Sequence, residues 1–192
     1  MKNIVSTIVI TTLALVGALP AVAQQTRADS SGGLSPHETI SQTFDGARNN
    51  RVTITYGRPY TTKPGTTEAR KIWGSLVPYG KPWRMGSDEA TTLVTQKALD
   101  FGGKTIPAGA YTLYMIPSES GASQLVFSSA LGGWGIPVDT KHDVAQVDLT
   151  KEPLDKPVDQ FTMAVAKGSS GGGVLKLSWE STQFSAPFTV EK

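Results

Sequence analysis

Leu99-Asp-Phe-Gly-Gly-Lys-Thr-Ile106 runs straight on into Pro107-Ala-Gly-Ala-Tyr-Thr-Leu-Tyr-Met-Ile116, and this stretch decides the fold class. Two apolar-edged runs flank Gly102-Gly103, the two-residue loop of a tight β-hairpin. Pro107-Ala108-Gly109 then turns the chain into Ala110–Ile116, a long strand with aromatic residues on both faces. Upstream, Ala90 to Gln96 is short and β-branched. Val52, Ile54 and Tyr56 share one face of a strand, and Thr39 to Phe44 alternates in the same way. The turn residues Asp45-Gly46 and Asn49-Asn50 make these last two strands a hairpin.

Downstream, strands are expected at Gln124–Phe127, Val144–Leu149, Gln160–Ala166, Val174–Glu180 and Gln183–Val190. Their inward residues are Phe161, Met163 and Val165, then Leu175, Leu177 and Trp179, then Phe184, Ala186, Phe188 and Val190. Leu131 to Asp143 and Gly168 to Gly173 are loops. Ile72 to Leu76 offers a single helical turn before Pro78. The pattern predicts an all-β chain: one β-sandwich, jelly-roll-like, of about nine to ten short strands with little helix.

The amino terminus is a secretion signal by pattern. Lys2 precedes the apolar run Ile4–Leu19, Pro20 breaks it, and Ala21-Val22-Ala23 is a small-x-small cleavage site. The expected division is a signal peptide over 1–23, a flexible leader over 24–34 and one domain over 35–192. The protein is expected in the periplasm or outside the cell after cleavage near Ala23, with no membrane span left. Without Lys2 the mature chain carries 17 basic and 16 acidic side chains, and it has no cysteine. This near-neutral balance gives no basic stripe for nucleic acid. The absence of cysteine excludes disulfides, thiol catalysis and Cys-ligated zinc.

The chemistry concentrates in Lys71 to Thr92, which holds Trp73, Trp83 and the cluster Arg84-Met-Gly-Ser-Asp-Glu89. Here the chain resembles the exported bacterial family DUF2911, a domain of unknown function. The matching pieces are Ser35-Pro36, Tyr56-Gly-Arg-Pro59, Arg70-Lys-Ile-Trp-Gly74, Leu76-Val-Pro-Tyr-Gly80, Trp83-Arg84, Gly86-Ser-Asp-Glu-Ala-Thr91, Gly103-Lys104 and Ile106-Pro-Ala-Gly-Ala-Tyr-Thr-Leu113. They span nearly the whole mature chain in the family's order. Asp88 stands where the family usually has an amide, and the strand around Leu125–Ser128 lacks the family's Trp and Asn. The resemblance implies an exported all-β domain with no assigned reaction and no known cofactor.

Arg58, Tyr79, Trp83, Arg84, Glu89 and Trp134 are the candidate binding residues. Aromatic side chains such as Tyr79, Trp83, Tyr114 and Trp134 suit a platform for a sugar or peptide; Trp83 and Tyr79 are otherwise expected as core lids over the sandwich end. A binding module needs Trp83 or Trp134 exposed; a purely structural domain needs both buried. Glu89 is expected to pair with Arg84 or Arg58 beneath the loop. The alternative reading is a hydrolase on an envelope glycan or ester, with Glu89 as acid or base and Arg84 holding an anionic group. Asp88 and Glu89 are adjacent and point to opposite faces if extended. They cannot alone supply the two facing carboxylates, roughly 5–10 Å apart, of a glycosidase. His37 and His142 are the only histidines and are far apart in sequence; His37-Glu38 follows a turn and is expected to be solvated, and His142-Asp143 sits in a polar loop. No His-Glu-x-x-His or Gly-x-Ser-x-Gly motif occurs, so no metal, cofactor or catalytic triad is assigned. The ligand class left open is a small molecule, a glycan or a protein.

Overall fold

The computed structural model describes residues 27–29, 35–44, 46, 49–168 and 171–191. The expected signal peptide, 1–23, lies outside them. Among the described residues ten strands run β1 (Arg27–Asp29), β2 (His37–Thr43), β3 (Arg51–Gly57), β4 (Thr92–Thr95), β5 (Leu99–Asp100), β6 (Thr105–Ile106), β7 (Gly109–Ile116), β8 (Ser123–Ser128), β9 (Asp143–Lys167) and β10 (Gly173–Val190). One short 3-10 turn, Thr140–His142, precedes β9. The all-β class and the hairpins β2–β3 and β5–β6 stand as the sequence indicates. Lys71 to Val77 is a hydrogen-bonded turn rather than a helix, closed by Val77 N donating to Ile72 O at 2.9 Å. No helix among the described residues is long and apolar enough to cross a membrane.

The two layers belong to one antiparallel sheet, in the order β1-β2-β3-β4-β7-β8-β9-β10-β5-β6. β9 carries it from one layer to the other. Its first part pairs with β8, and its later part, from Thr150 on, pairs with β10. This corrects the expectation of short strands throughout. Val144–Leu149 and Gln160–Ala166 are one strand of 25 residues, and β10 has 18. The joining segment, with Pro153 and Pro157, is polar and largely exposed. Past Leu149, β8 no longer pairs with it, so one side is an edge, where a proline leaves no ladder bond unmade.

The layers face each other across aromatic contacts: Phe44 with Phe188 at 5.5 Å, Tyr56 with Phe161 at 5.7 Å, and Phe101 with Phe127 at 5.4 Å between ring centroids. Along β10 the buried side chains are Leu175, Leu177 and Trp179, then Phe184, Ala186 and Phe188. A strand of period two cannot change parity without an extra residue. The ladder breaks register on both sides of Glu180, which takes φ 51°, and this bulge keeps both halves facing the core. Val190 is only half-buried.

Within the stretch expected as a flexible leader, Arg27–Asp29 pairs with β2 in register with His37–Thr39. The exposed edge of β2 offers those backbone partners, which supply order that composition alone does not. The rest of 24–34 lies outside the described residues.

Candidate functional site

The loop from Trp83 to Thr91 crosses the end of the sandwich, and its backbone lies directly on β3. A Cβ added to Gly57 would stand 2.1 Å from Ser87 O, and one on Gly86 would stand 2.9 Å from Gly57 O. Glycine is required at 57 for this close approach and not for its dihedrals. Gly57→Ala is expected to cost about 3 kcal/mol, the upper end of ordinary overpacking, because a backbone carbonyl cannot swing aside. Denaturant unfolding measures this; a loss below about 0.5 kcal/mol would mean the loop lifts freely.

Trp83 and Trp73 plug that end of the core. Trp83 stacks on Trp179 at 5.8 Å and 18°, and meets Phe161 at 5.1 Å. Trp73 stands edge-on to Phe184 at 5.1 Å and to Trp83 at 6.0 Å. Trp83 is therefore a packed lid. Tyr79 is half-buried and lies over Gly74, whose φ of 79° and missing side chain leave room for the ring.

Arg58 is also held inside. Its Nε lies 3.3 Å from Glu38 Oε2 and donates to Phe161 O at 3.2 Å, while Nη2 donates to Thr162 Oγ1 at 2.9 Å. Glu38 sits opposite Tyr56 in the β2–β3 register. The Tyr56 hydroxyl donates to the Glu38 carboxylate and accepts from Met163 N at 2.9 Å. Sequence reasoning took His37-Glu38 as solvated, but Glu38 is 8% exposed. The signal was present: Glu38 continues the alternation of Ile40, so it points inward. Arg58 consequently pairs with Glu38. Glu89 lies 2.9 Å from His37 Nε2, in a contact not aligned for a hydrogen bond. The expected pairing of Glu89 with Arg58 or Arg84 is thus replaced: Glu38 and His37, at the start of β2, reach the two partners first.

Burial raises the Tyr56 hydroxyl well above its ordinary pKa, and the bond to Glu38 adds to this; burial and Asp143 do the same for Tyr114. The unfolded chain then loses these protons first. The associated stability is complete below about pH 10 and falls as pH rises toward the folded values. Of the five tyrosines, Tyr56 and Tyr114 are expected to ionise only as the protein unfolds, read by tyrosinate absorbance. A thermal midpoint unchanged up to about pH 12 would contradict this.

Arg84 and Trp134 meet elsewhere, on the outer face of β7 and β8. Tyr114 and Val126 are cross-strand partners there, each at most 1% exposed. The chain from Ala130 to His142 covers them, and Tyr114 Oη donates to Asp143 Oδ2 at 2.6 Å. Gly135 brings this cover against the Arg84 loop, with an added Cβ 3.0 Å from both Ala90 Cβ and Arg84 Cβ. Arg84 Nη1 donates to Trp134 O at 3.1 Å, and the guanidinium lies 5.3 Å from the Trp134 ring centroid. Burial lowers the Arg84 pKa, against an opposing pull from Asp88 and Glu89. The guanidinium still stays charged. Trp134 is 54% exposed.

Between cover and sheet lies a pocket of about 220 Å³, walled by Arg84, Ala90, Leu113, Ala130, Pro137 and Val138. Sequence reasoning named Arg84 and Trp134 but missed the pocket, because the packing of the cover on Tyr114 is long-range. A larger cleft of about 420 Å³ lies beside Gly172 and Phe188. Its one ionisable side chain, Asp100, is engaged within its own hairpin by Gly103 N at 3.0 Å and Thr105 Oγ1 at 3.4 Å. Among the described residues no three His, Asp or Glu side chains gather as metal ligands do.

The family model described as "Protein of unknown function (DUF2911)" matches residues 35–188. The chain belongs to this family. Comparison with curated proteins and with solved structures returned no match. The DUF2911 match extends from just before β2 to Phe188, the last core residue of β10, so both the Glu38–Arg58 pair and the Arg84 pocket lie inside it.

Proposed function

We propose that this DUF2911 protein is a non-catalytic binding module of the cell envelope, with its ligand site at the Arg84–Trp134 pocket. The observation that carries this reading is a large aromatic side chain left 54% exposed against the Arg84 guanidinium, on the segment whose Gly133 and Gly135 wall a mainly apolar cavity together with Arg84. Exposed aromatic area next to a few fixed polar groups is the usual make-up of a ligand site. The signal-peptide pattern of residues 1–23 supports export to the periplasm or beyond. The hydrolase alternative draws less support: the Glu89 side chain is 63% exposed and lines none of the pockets described above. General acid–base chemistry needs a carboxylate tuned by its surroundings and held at the reacting bond.

A fragment screen read by the Trp134 indole NMR signal tests the proposal. Hits are expected to shift that signal in the parent and to be lost in Ala130→Leu, which fills the cavity. Hits that bind both proteins equally, or that shift only buried indoles, would remove the pocket as the site.

A further inference from the structure

We propose that the Arg84 pocket takes the C-terminal end of an extended peptide, with the terminal carboxylate on Arg84 and an apolar last side chain inside. This rests on reading the pocket as the binding site. Arginine carries five N–H donors in a planar fork that matches a carboxylate. Among the described residues, the one hydrogen bond of Arg84 goes to Trp134 O, which fixes the fork and leaves its other donors for a ligand. Neither Asp88 nor Glu89 closes an ion pair on it, and Glu89 lies against His37 instead.

The rest of the pocket asks for an apolar body. Its hydroxyls are already committed: Thr112 Oγ1 donates to Ala130 O at 2.5 Å, and Ser128 Oγ bonds His142 O at 3.3 Å and Ala130 N at 3.3 Å. The Asp139 carboxylate, also in the wall, is turned to Lys141 N at 2.9 Å and lies 3.7 Å from His142 Nε2. A sugar would find too few partners for its hydroxyls, since buried polar groups need hydrogen bonds. A branched aliphatic side chain needs none.

Size and rim extend the ligand outward. At about 220 Å³ the cavity is smaller than typical small-molecule pockets of roughly 300–1,000 Å³, so it holds one residue's worth of ligand. Leu131 in the wall, and Trp134 and Ile136, which alternate along the chain with the wall residues Gly133, Gly135 and Pro137, are 54%, 54% and 63% exposed. A free short-chain acid would leave these three uncovered; a peptide continuing out of the pocket would cover them.

Calorimetric titration compares N-acetyl-Ala-Ala-Leu, its C-terminal amide, and 4-methylpentanoate, on the parent, Arg84→Met and Ala130→Leu. The peptide acid is expected to bind at least tenfold more tightly than either the amide or the free acid. Arg84→Met should erase the preference of acid over amide, and Ala130→Leu should weaken both peptides. Equal binding of acid and amide would overturn the carboxylate assignment while leaving the pocket as a site. Equal binding of 4-methylpentanoate and the peptide would make the ligand a free acid instead. Silence from all three probes, with fragments still shifting the Trp134 indole, overturns this inference alone; silence from the fragments as well removes the site. If Arg84→Met fails to fold, the acid–amide comparison on the parent and Ala130→Leu still decides.

Discussion

Arg58→Met is expected to lower the unfolding free energy by about 3–5 kcal/mol, the usual result of breaking a buried ion pair from one side. The side chains of Arg58 and Glu38 are only 23% and 10% exposed. Removing the guanidinium leaves the Glu38 carboxylate with Tyr56 alone and frees the acceptors at Phe161 and Thr162. These contacts tie β2 and β3 of one layer to β9 of the other, so their loss reaches both layers. Glu38→Gln is expected to do less damage, because an amide of the same shape still accepts from Tyr56. The double variant Glu38→Leu/Arg58→Met should recover much of the loss, since an apolar pair of similar volume carries no unpaired charge. Strictly additive losses would mean the two side chains do not act as a pair.

Trp179→Ala is expected to cost as much, about 3–5 kcal/mol for a fully buried tryptophan. Trp179 is 1% exposed and touches Trp83, Trp73 and Phe161. Truncation removes the floor on which the Trp83 lid stacks, and the loop carrying Arg84 loses its anchor. The indole Nε1 is buried without a hydrogen-bond partner. Trp179→Phe should therefore cost much less, because it removes an unsatisfied donor along with the lost volume. Urea unfolding with an unchanged slope would attribute the loss to the folded core. A loss under about 1 kcal/mol for the alanine variant would mean the cluster is loosely packed and its aromatic rings are available for other use.

Much of the fold was legible because it is written locally. Gly102-Gly103 marks its hairpin, and the alternation of Phe161, Met163 and Val165 marks a buried face. The 25-residue β9 was not legible: two strands were expected, Val144–Leu149 and Gln160–Ala166, and the segment between them carries Pro153, Pro157 and several charges that do not mark a strand. They are tolerated only because that part of the strand is an edge, a tertiary fact. The parity change along β10 was visible in the spacing of Trp179 and Phe184, but the bulge at Glu180 that reconciles it has no distinctive residue. At the site, Arg84 and Trp134 were named for their chemistry, whereas Arg58 and Trp83 carry the same chemistry and serve the core. What separates them is pairing across long sequence distances: Arg58 reaches Thr162, and Trp83 reaches Trp179. Inward-pointing Glu38 could have been read from the register of Ile40.

The measurement that bears most directly on this division is the thermal midpoint of Arg58→Met beside that of Arg84→Met. At about 2–4 °C per kcal/mol for a domain of this size, Arg58→Met should fall on the order of 6–20 °C. If Arg84 serves a ligand as proposed, Arg84→Met should stay where the parent is or rise, because a half-buried cation kept for binding is held at a cost to stability. A fall in Arg84→Met as large as that in Arg58→Met would make Arg84 part of the scaffold and leave the pocket beside Trp134 without its recognition group.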